Sequence, residues 1–97
     1  MSQPGAKHDT NKPRWTLLPW SALAQVVSVL EFGAKKYEVG GWMRVPNAEH
    51  RYRDALIRHL VADIDGEDRD PESGLLHAAH VACNALFLLW FAMRRTP

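Results

Sequence analysis

The 97-residue sequence lacks the features that mark several large classes of protein. It has a single cysteine, Cys83, so no disulfide can form within the chain and a reducing intracellular environment is predicted. The N-terminal stretch MSQPGAKHDTNKPRW has no apolar signal-peptide core, which argues against export. The formal net charge is only +1, too small for a protein that coats nucleic acid. These absences predict a cytoplasmic protein that does not bind nucleic acid.

Several well-known catalytic and binding motifs are also absent. The sequence contains neither the GxxxxGK[ST] nor the GxGxxG phosphate loop, and it has no HExxH zinc-protease motif. The segment DIDGEDRDPESG has the look of a calcium loop. Counted from Asp63, however, its sixth position is Asp68 rather than glycine and its twelfth is Gly74 rather than glutamate. An EF-hand is therefore not predicted.

What the sequence does contain is a long apolar segment interrupted by polar residues. In GLLHAAHVACNALFLLW, residues 74–90, thirteen of seventeen residues are apolar and none is an acid, lysine or arginine. The apolar run over residues 75–93 is long enough to cross a bilayer, but His77, His80 and Asn84 are costly in a helix that faces lipid. Burial against sister helices explains the segment better. We therefore predict a homo-oligomer, a dimer or a tetramer, without membrane association.

The hydrophobic periodicity predicts an all-α fold, because no segment shows a strand pattern. We expect a flexible N-terminal arm over residues 1–14 and one all-α domain over residues 15–97. Asn47 and Asp70 are the expected caps of the second and third helices, with Pro71 at the first helical position. The last two helices are expected to form an antiparallel hairpin in a compact bundle that oligomerisation completes. The predicted helices are one capped by Ser21 and ending at about Tyr37, one from about Ala48 to Ile64, and one from about Pro71 to Arg94.

A stripe of polar residues runs along one face of the third predicted helix. Its members follow the spacing i, i+4, i+7, i+11 and are Ser73, His77, His80 and Asn84. On the second helix, His59 and Asp63 extend the apolar stripe and should point inward, toward the two stripe histidines. Between these helices the chain is strongly acidic, with six of its eleven acids between residues 63 and 72.

This constellation allows two interpretations. Imidazoles and carboxylates on facing helices are a common way for a helical bundle to hold a metal. Oxygen ligands suit Mg²⁺ or Mn²⁺, and added histidines shift the preference toward Mn²⁺ or another transition metal. The alternative is a structural network of buried polar groups that fixes the register of the helices. Asp70 and Glu72 could also serve only to cap and charge a helix N-terminus.

A second group of residues suggests nucleotide binding. Lys35 and Lys36 near the end of the first helix either complement the helix dipole or bind phosphate. Tyr37 and Trp42 offer flat faces for a base. Arg58, beside the inward histidine of the second helix, could add a phosphate contact.

Three stretches of the chain together resemble a known family. KPRWTLLPW, FGAKKY…W and RHLVADIDGEDRDPESGLLHAAHVACNALFLL are similar to the phage-type dATP/dGTP diphosphohydrolases, small MazG-like proteins of phages and prophage-bearing bacteria. The similarity covers roughly residues 12–91. It implies an all-α, oligomeric pyrophosphohydrolase that cleaves a deoxypurine nucleoside triphosphate to the monophosphate and pyrophosphate. One departure is that the ExxE half of the usual MazG carboxylate pattern is missing, and Glu67-x-x-Asp70 matches the ExxD half in letters only.

The resemblance and the chemistry of the residues together give each candidate a role. Around Mg²⁺ or Mn²⁺ we expect Glu67, Asp70, His77, His80 and Asp63. The catalytic groups are expected to be Glu67, Glu72 and His59, with Glu72 or His59 as the base that activates the attacking water. The residues expected to bind substrate are Lys36, Tyr37, Trp42, Arg58 and Asn84.

Two other functions compete with this hydrolase. The first is a non-catalytic helical oligomerisation or binding module with a structural polar or metal cluster. The second is a metallophosphohydrolase of the HD type that acts on phosphomonoesters. That type needs an adjacent His-Asp pair, and the chain has one only at His8-Asp9, within the predicted arm.

Overall fold

The computed structural model describes residues 10–95, and these residues form an all-α fold. Residues 1–9, which include most of the predicted arm and the His8-Asp9 pair, lie outside the described range. In the described range the only bridge of the β type is an isolated one between Arg69 and Leu76. The helices are α1 (Trp20–Lys36), α2 (Ala48–Ile64) and α3 (His77–Arg95), with short 3-10 turns at Trp15–Leu17 and Gly41–Arg44.

The limits of α2 agree with the prediction, but its cap does not. Asn47 occupies the N-cap position with a left-handed backbone (φ 55°), and its side chain makes no capping hydrogen bond. A capping side chain reaches the first-turn N–H groups from an extended backbone, which Asn47 does not have. Similarly, Ser21 lies inside α1 rather than capping it. Instead, the carbonyl of Pro19 accepts the N–H groups of Ala22 and Leu23 at 3.0 and 3.1 Å.

The start of α3 differs most from the prediction. The helix begins at His77, six residues after Pro71, so Asp70 does not cap it. Residues 65–76, which we call the acidic loop, have hydrogen bonds of their own. The Asp70 carbonyl accepts the N–H of Gly74 at 2.8 Å, and the Leu75 carbonyl accepts the N–H of Asp70 at 2.8 Å. Gly74 has a left-handed backbone (φ 73°) that an α-helix cannot contain, and this ends any helix from Pro71.

Helices α2 and α3 pack as the predicted antiparallel hairpin. Near the start of α2, Tyr52 contacts Phe87 and Phe91 in the later part of α3. Near the end of α2, His59 contacts the first turn of α3. The residue numbers of the two helices thus run in opposite directions along the contact.

The core lies between α1 and α3 and extends to an aromatic cluster at one end of the hairpin. Its buried members are Val26, Val29, Ala79, Cys83 and Phe87. The cluster adds Trp42, whose ring stacks on Phe87 with centroids 4.4 Å apart. Burial raises the pKa of Cys83 to about 12, so this free thiol stays protonated and unreactive. Across residues 10–95, no helix combines the length and the apolar character that crossing a membrane requires.

Candidate functional site

The candidate site lies at the other end of the hairpin, where α2, α3 and the acidic loop meet. α2 supplies His59 about one turn before its end, α3 supplies His77 as its first residue, and the acidic loop supplies Asp70. One ligand atom from each of these three residues lies within 4.8 Å of the others. The backbone fixes this meeting point, because the N–H of His77 donates to the carbonyl of Asp68 at 2.8 Å.

The contact between the imidazoles of His59 and His77 requires a proton or a cation between two ring nitrogens. The Nδ1 atoms of His59 and His77 lie 2.8 Å apart. Two nitrogen lone pairs cannot face each other at this distance, so a proton or a cation must lie between them. Two ligands next to each other on an octahedral metal, with bonds of about 2.1 Å, are about 3 Å apart. The donor set of two imidazoles and one carboxylate therefore fits a divalent metal ion.

The far side of the His77 ring is held by a carboxylate. Glu67 Oε1 lies 2.7 Å from His77 Nε2, and the His77 side chain is only 4% exposed. A histidine that binds a metal commonly donates its other ring N–H to a carboxylate, which fixes both tautomer and orientation. Glu67 thus contacts the nitrogen that faces away from His59.

The surroundings of the site lower the pKa values of two of its histidines and of Asp70. Burial, followed by the charge of His80, lowers the pKa of His59, and burial also lowers the pKa of His80. Burial alone would raise the pKa of Asp70, but hydrogen bonds from Ser73 and the nearby histidines outweigh it and the pKa is lowered. Neutral imidazoles beside an ionised carboxylate are the forms that bind metals.

The rim of the site carries an ion pair between α1 and the acidic loop. Lys36 Nζ donates to Glu72 Oε2 at 2.8 Å, and this hydrogen bond raises the pKa of Lys36. The same ammonium group lies 5.3 Å from the centroid of the Tyr37 ring, which is 74% exposed. A cation and an open aromatic face are therefore adjacent at the rim.

Other predicted site residues lie elsewhere. Asp63 is exposed and is not part of the converging group, so the expectation that it points inward is wrong. In the last turn of α2, the neighbouring Ile64 is also exposed, at 71%. Asn84 is buried and donates its amide to the His80 carbonyl at 2.8 Å. Trp42 belongs to the aromatic cluster, with one face covered by Phe87. Arg58 is exposed on α2.

Ser73 belongs to the predicted polar stripe, but its contacts in the structure are not those of a helical residue. Its hydroxyl lies 2.7 Å from His80 Nε2, and its backbone N–H donates to Asp70 Oδ2 at 3.1 Å. The helical spacing from Ser73 to His80 suggested a common face, yet Ser73 lies in the acidic loop, outside α3. The contact therefore comes from the fold of the loop, which helical periodicity does not describe.

The comparison with known proteins agrees with the resemblance. The model of the family described as "dATP/dGTP diphosphohydrolase, N-terminal" matches residues 2–97. The chain belongs to this family. Over 91 residues it is 33% identical to the "dATP/dGTP diphosphohydrolase" of Salmonella phage PMBT28, a match that covers 94% of this chain and 31% of that protein. The chain thus spans about a third of the length of this curated relative. No solved structure matches the chain.

Proposed function

We propose that this member of the dATP/dGTP diphosphohydrolase family is a metal-dependent hydrolase of deoxypurine nucleoside triphosphates, which forms the monophosphate and pyrophosphate. The observation that carries the proposal is the convergence of His59, Asp70 and His77 within 4.8 Å, beside a rim that carries Lys36. The name of the phage relative supports the choice of dATP and dGTP.

In this proposal His59, Asp70 and His77 hold the metal ion, and Glu67 orients His77. Two nitrogen ligands favour Mn²⁺ more than an all-oxygen site would, while Mg²⁺ suits the carboxylate and the phosphates. When bound, a divalent ion neutralises phosphate charge and lowers the pKa of a coordinated water.

The rim residues bind the triphosphate and move the proton. Lys36 exchanges its bond to Glu72 for one to a phosphate oxygen, and the exposed Arg58 adds a second positive charge. The carboxylate of Glu72 is then free to accept a proton from the water that attacks the α-phosphorus. The bond from that phosphorus to the bridging oxygen breaks, and pyrophosphate leaves. Tyr37 offers its open ring to the base.

A further part of the proposal concerns oligomerisation. An apolar groove between α1 and α3 is lined by residues of both helices: Leu23, Val26, Ala82, Ala85, Leu86 and Leu89. Leu86 and Leu89 are 46% and 57% exposed. A surface of this kind supports a homo-oligomer. It also favours the second candidate function, a non-catalytic helical binding module.

A product assay separates the candidates. The purified protein is incubated with each dNTP and with ATP and GTP, in Mg²⁺ or Mn²⁺, and the products are resolved by ion-exchange chromatography. A deoxypurine monophosphate and pyrophosphate in equal amounts are expected. Release of orthophosphate would instead support a phosphatase. The absence of turnover with every nucleotide, in a folded protein, would contradict the hydrolase and leave the binding module.

A matched pair of variants ties any turnover to the site. His77→Ala removes a predicted metal ligand, whereas His50→Ala removes an exposed histidine that contacts only Asp54 among the described residues. We expect the first to lose turnover and the second to retain it, with similar helix content by circular dichroism.

A further inference from the structure

Ser73 is the point at which the acidic loop is joined to α3. Its backbone N–H donates to Asp70 Oδ2 at 3.1 Å. Its hydroxyl oxygen accepts the N–H of Leu75 at 3.1 Å and lies 2.7 Å from His80 Nε2. Ser73 therefore contacts the proposed ligand Asp70 through its backbone and His80 through its side chain.

His80 is buried beside the site without joining the converging group. Its ring lies parallel to that of His59, with centroids 4.3 Å apart and an angle of 8° between the planes. Its Nε2 faces the hydroxyl of Ser73 and is 3.8 Å from Asp70 Oδ2, too far for a hydrogen bond. The ring thus supports His59 by its face and contacts Ser73 by its edge.

Relying on the metal site of the proposed function, we infer that Ser73 and His80 do not bind the metal but position two of its ligands, Asp70 and His59. His80 was expected to be a metal ligand, so this assignment changes its role. Asp70 lies in a loop, and the Ser73 hydroxyl, by accepting the Leu75 N–H, holds that loop in the turn from which the Ser73 backbone N–H reaches the Asp70 carboxylate. His59 would turn about its side-chain bonds without the flat ring of His80 against it.

Ser73, His80 and Asp70 do not form a Ser-His-Asp catalytic triad. In such a triad the carboxylate contacts the imidazole nitrogen opposite the one that faces the serine. Here Asp70 and Ser73 both face Nε2 of His80. Asp70 therefore does not orient the ring from the nitrogen opposite Ser73, as the carboxylate of a triad does, and this geometry favours positioning over nucleophilic catalysis.

Metal binding without substrate tests this inference. Mn²⁺ affinity of the full chain is measured by calorimetry, and the ligand-field absorption of bound Co²⁺ reports the ligands. Residues that orient metal ligands typically change affinity by about 10- to 100-fold. We expect Ser73→Ala and His80→Gln each to weaken Mn²⁺ binding in that range while the Co²⁺ bands keep their positions. Ser73→Thr retains the hydroxyl and is expected to restore affinity to within about threefold.

Two controls separate positioning from ligation and from folding. His77→Ala removes a proposed ligand and is expected to abolish Mn²⁺ binding and to change the Co²⁺ bands. The midpoint of thermal unfolding in chelator is compared for all variants. A lower affinity without a lower midpoint supports positioning, as a purely structural role would move only the midpoint.

Three results would contradict these claims, and each identifies which claim is wrong. If His80→Gln abolishes binding as fully as His77→Ala, His80 is a ligand and the inference is wrong. Ser73→Ala keeps the backbone N–H and loses only the hydroxyl. If this variant binds Mn²⁺ as tightly as the unchanged protein, the hydroxyl positions neither the acidic loop nor His80, and the inference is again wrong. If the unchanged protein binds neither Mn²⁺ nor Co²⁺, the metal site of the proposed function is itself refuted, and the positioning role with it.

Discussion

The two ends of the α2–α3 hairpin have opposite chemistry. At one end, Tyr52 lies against Phe87 with ring centroids 4.8 Å apart, in a cluster that also contains Trp42. At the other end, His59 and His77 meet through ring nitrogens 2.8 Å apart. Aromatic contacts hold the helices together without any requirement for charge, whereas the histidine contact needs a proton or a cation between the rings. The contacts that stabilise the helix pair and the residues of the proposed chemistry thus occupy opposite ends of it.

The largest expected effect is the loss of stability when the aromatic end is broken. Phe87 is only 9% exposed and contacts both Trp42 and Tyr52. Phe87→Ala leaves a cavity and should lower the free energy of unfolding by about 3–5 kcal/mol. Urea denaturation measures this change. Val39→Ala, at a side chain that is 84% exposed, should change it by less than about 0.5 kcal/mol.

A substitution at the polar end should reduce activity more than stability. His77→Ala removes a proposed metal ligand and should reduce the hydrolysis rate by more than about 100-fold, beyond the effect of losing a residue that only orients a ligand. Its effect on the free energy of unfolding should be smaller than that of Phe87→Ala. Initial rates and urea midpoints are compared for the two variants. A parallel loss of stability and activity in both would show that the ends are not separate.

A smaller effect is expected at the rim. Lys36→Met removes the cation that now pairs with Glu72, and KM for the nucleotide should rise about tenfold, as for the loss of a charge-assisted hydrogen bond. Lys35→Met is the matched control, because Lys35 is also exposed but has no ion pair among the described contacts. Steady-state kinetics with both variants provide the comparison. If Lys36→Met and Lys35→Met had equal KM values, Lys36 would not bind the nucleotide.

The smallest effect is a dependence of stability on pH. The pKa values of His59 and His80 are lowered in the folded protein, so the unfolded chain binds more protons as the pH falls below about 6.5. Stability from these residues is present above that pH and is lost as the pH falls toward the folded pKa values. Melting in chelator from pH 7.5 to 5 should show a falling midpoint. His80→Gln should reduce this slope, and a slope equal to that of the unchanged protein would contradict the assignment.

Much of the fold could be predicted because helical periodicity is a local signal. The apolar stripe of α2 gave its limits, and the short connection after it gave the antiparallel hairpin that brings His59 to His77. The family resemblance added the expected activity. The inferences about the fold depend only on spacing along the chain and on which side chains are apolar.

The acidic loop could not be predicted in the same way. Asp70 and Pro71 have the typical sequence of a helix start, but the left-handed Gly74 and a bridge from Arg69 to Leu76 close the segment on itself. These contacts join residues at no fixed period. The link between Ser73 and His80 lies outside helical periodicity for the same reason. Asp63 fails for a different one: periodicity places it on the inward stripe, but its side chain in the last turn of α2 is exposed.

The order of the site residues along the chain has a consequence for evolution and for design. His59 and His80 mark the limits of a segment of 22 consecutive residues that contains every proposed ligand and every residue proposed to orient one. The residues proposed to bind substrate lie outside it: Lys36 and Tyr37 at the end of α1, and Arg58 just before the segment. Such a segment can be moved as one piece: grafted onto two antiparallel helices of the same spacing, it would bring the proposed metal ligands together in a new scaffold. Any binding of a nucleotide would then depend on what the new scaffold offered in place of Lys36, Tyr37 and Arg58.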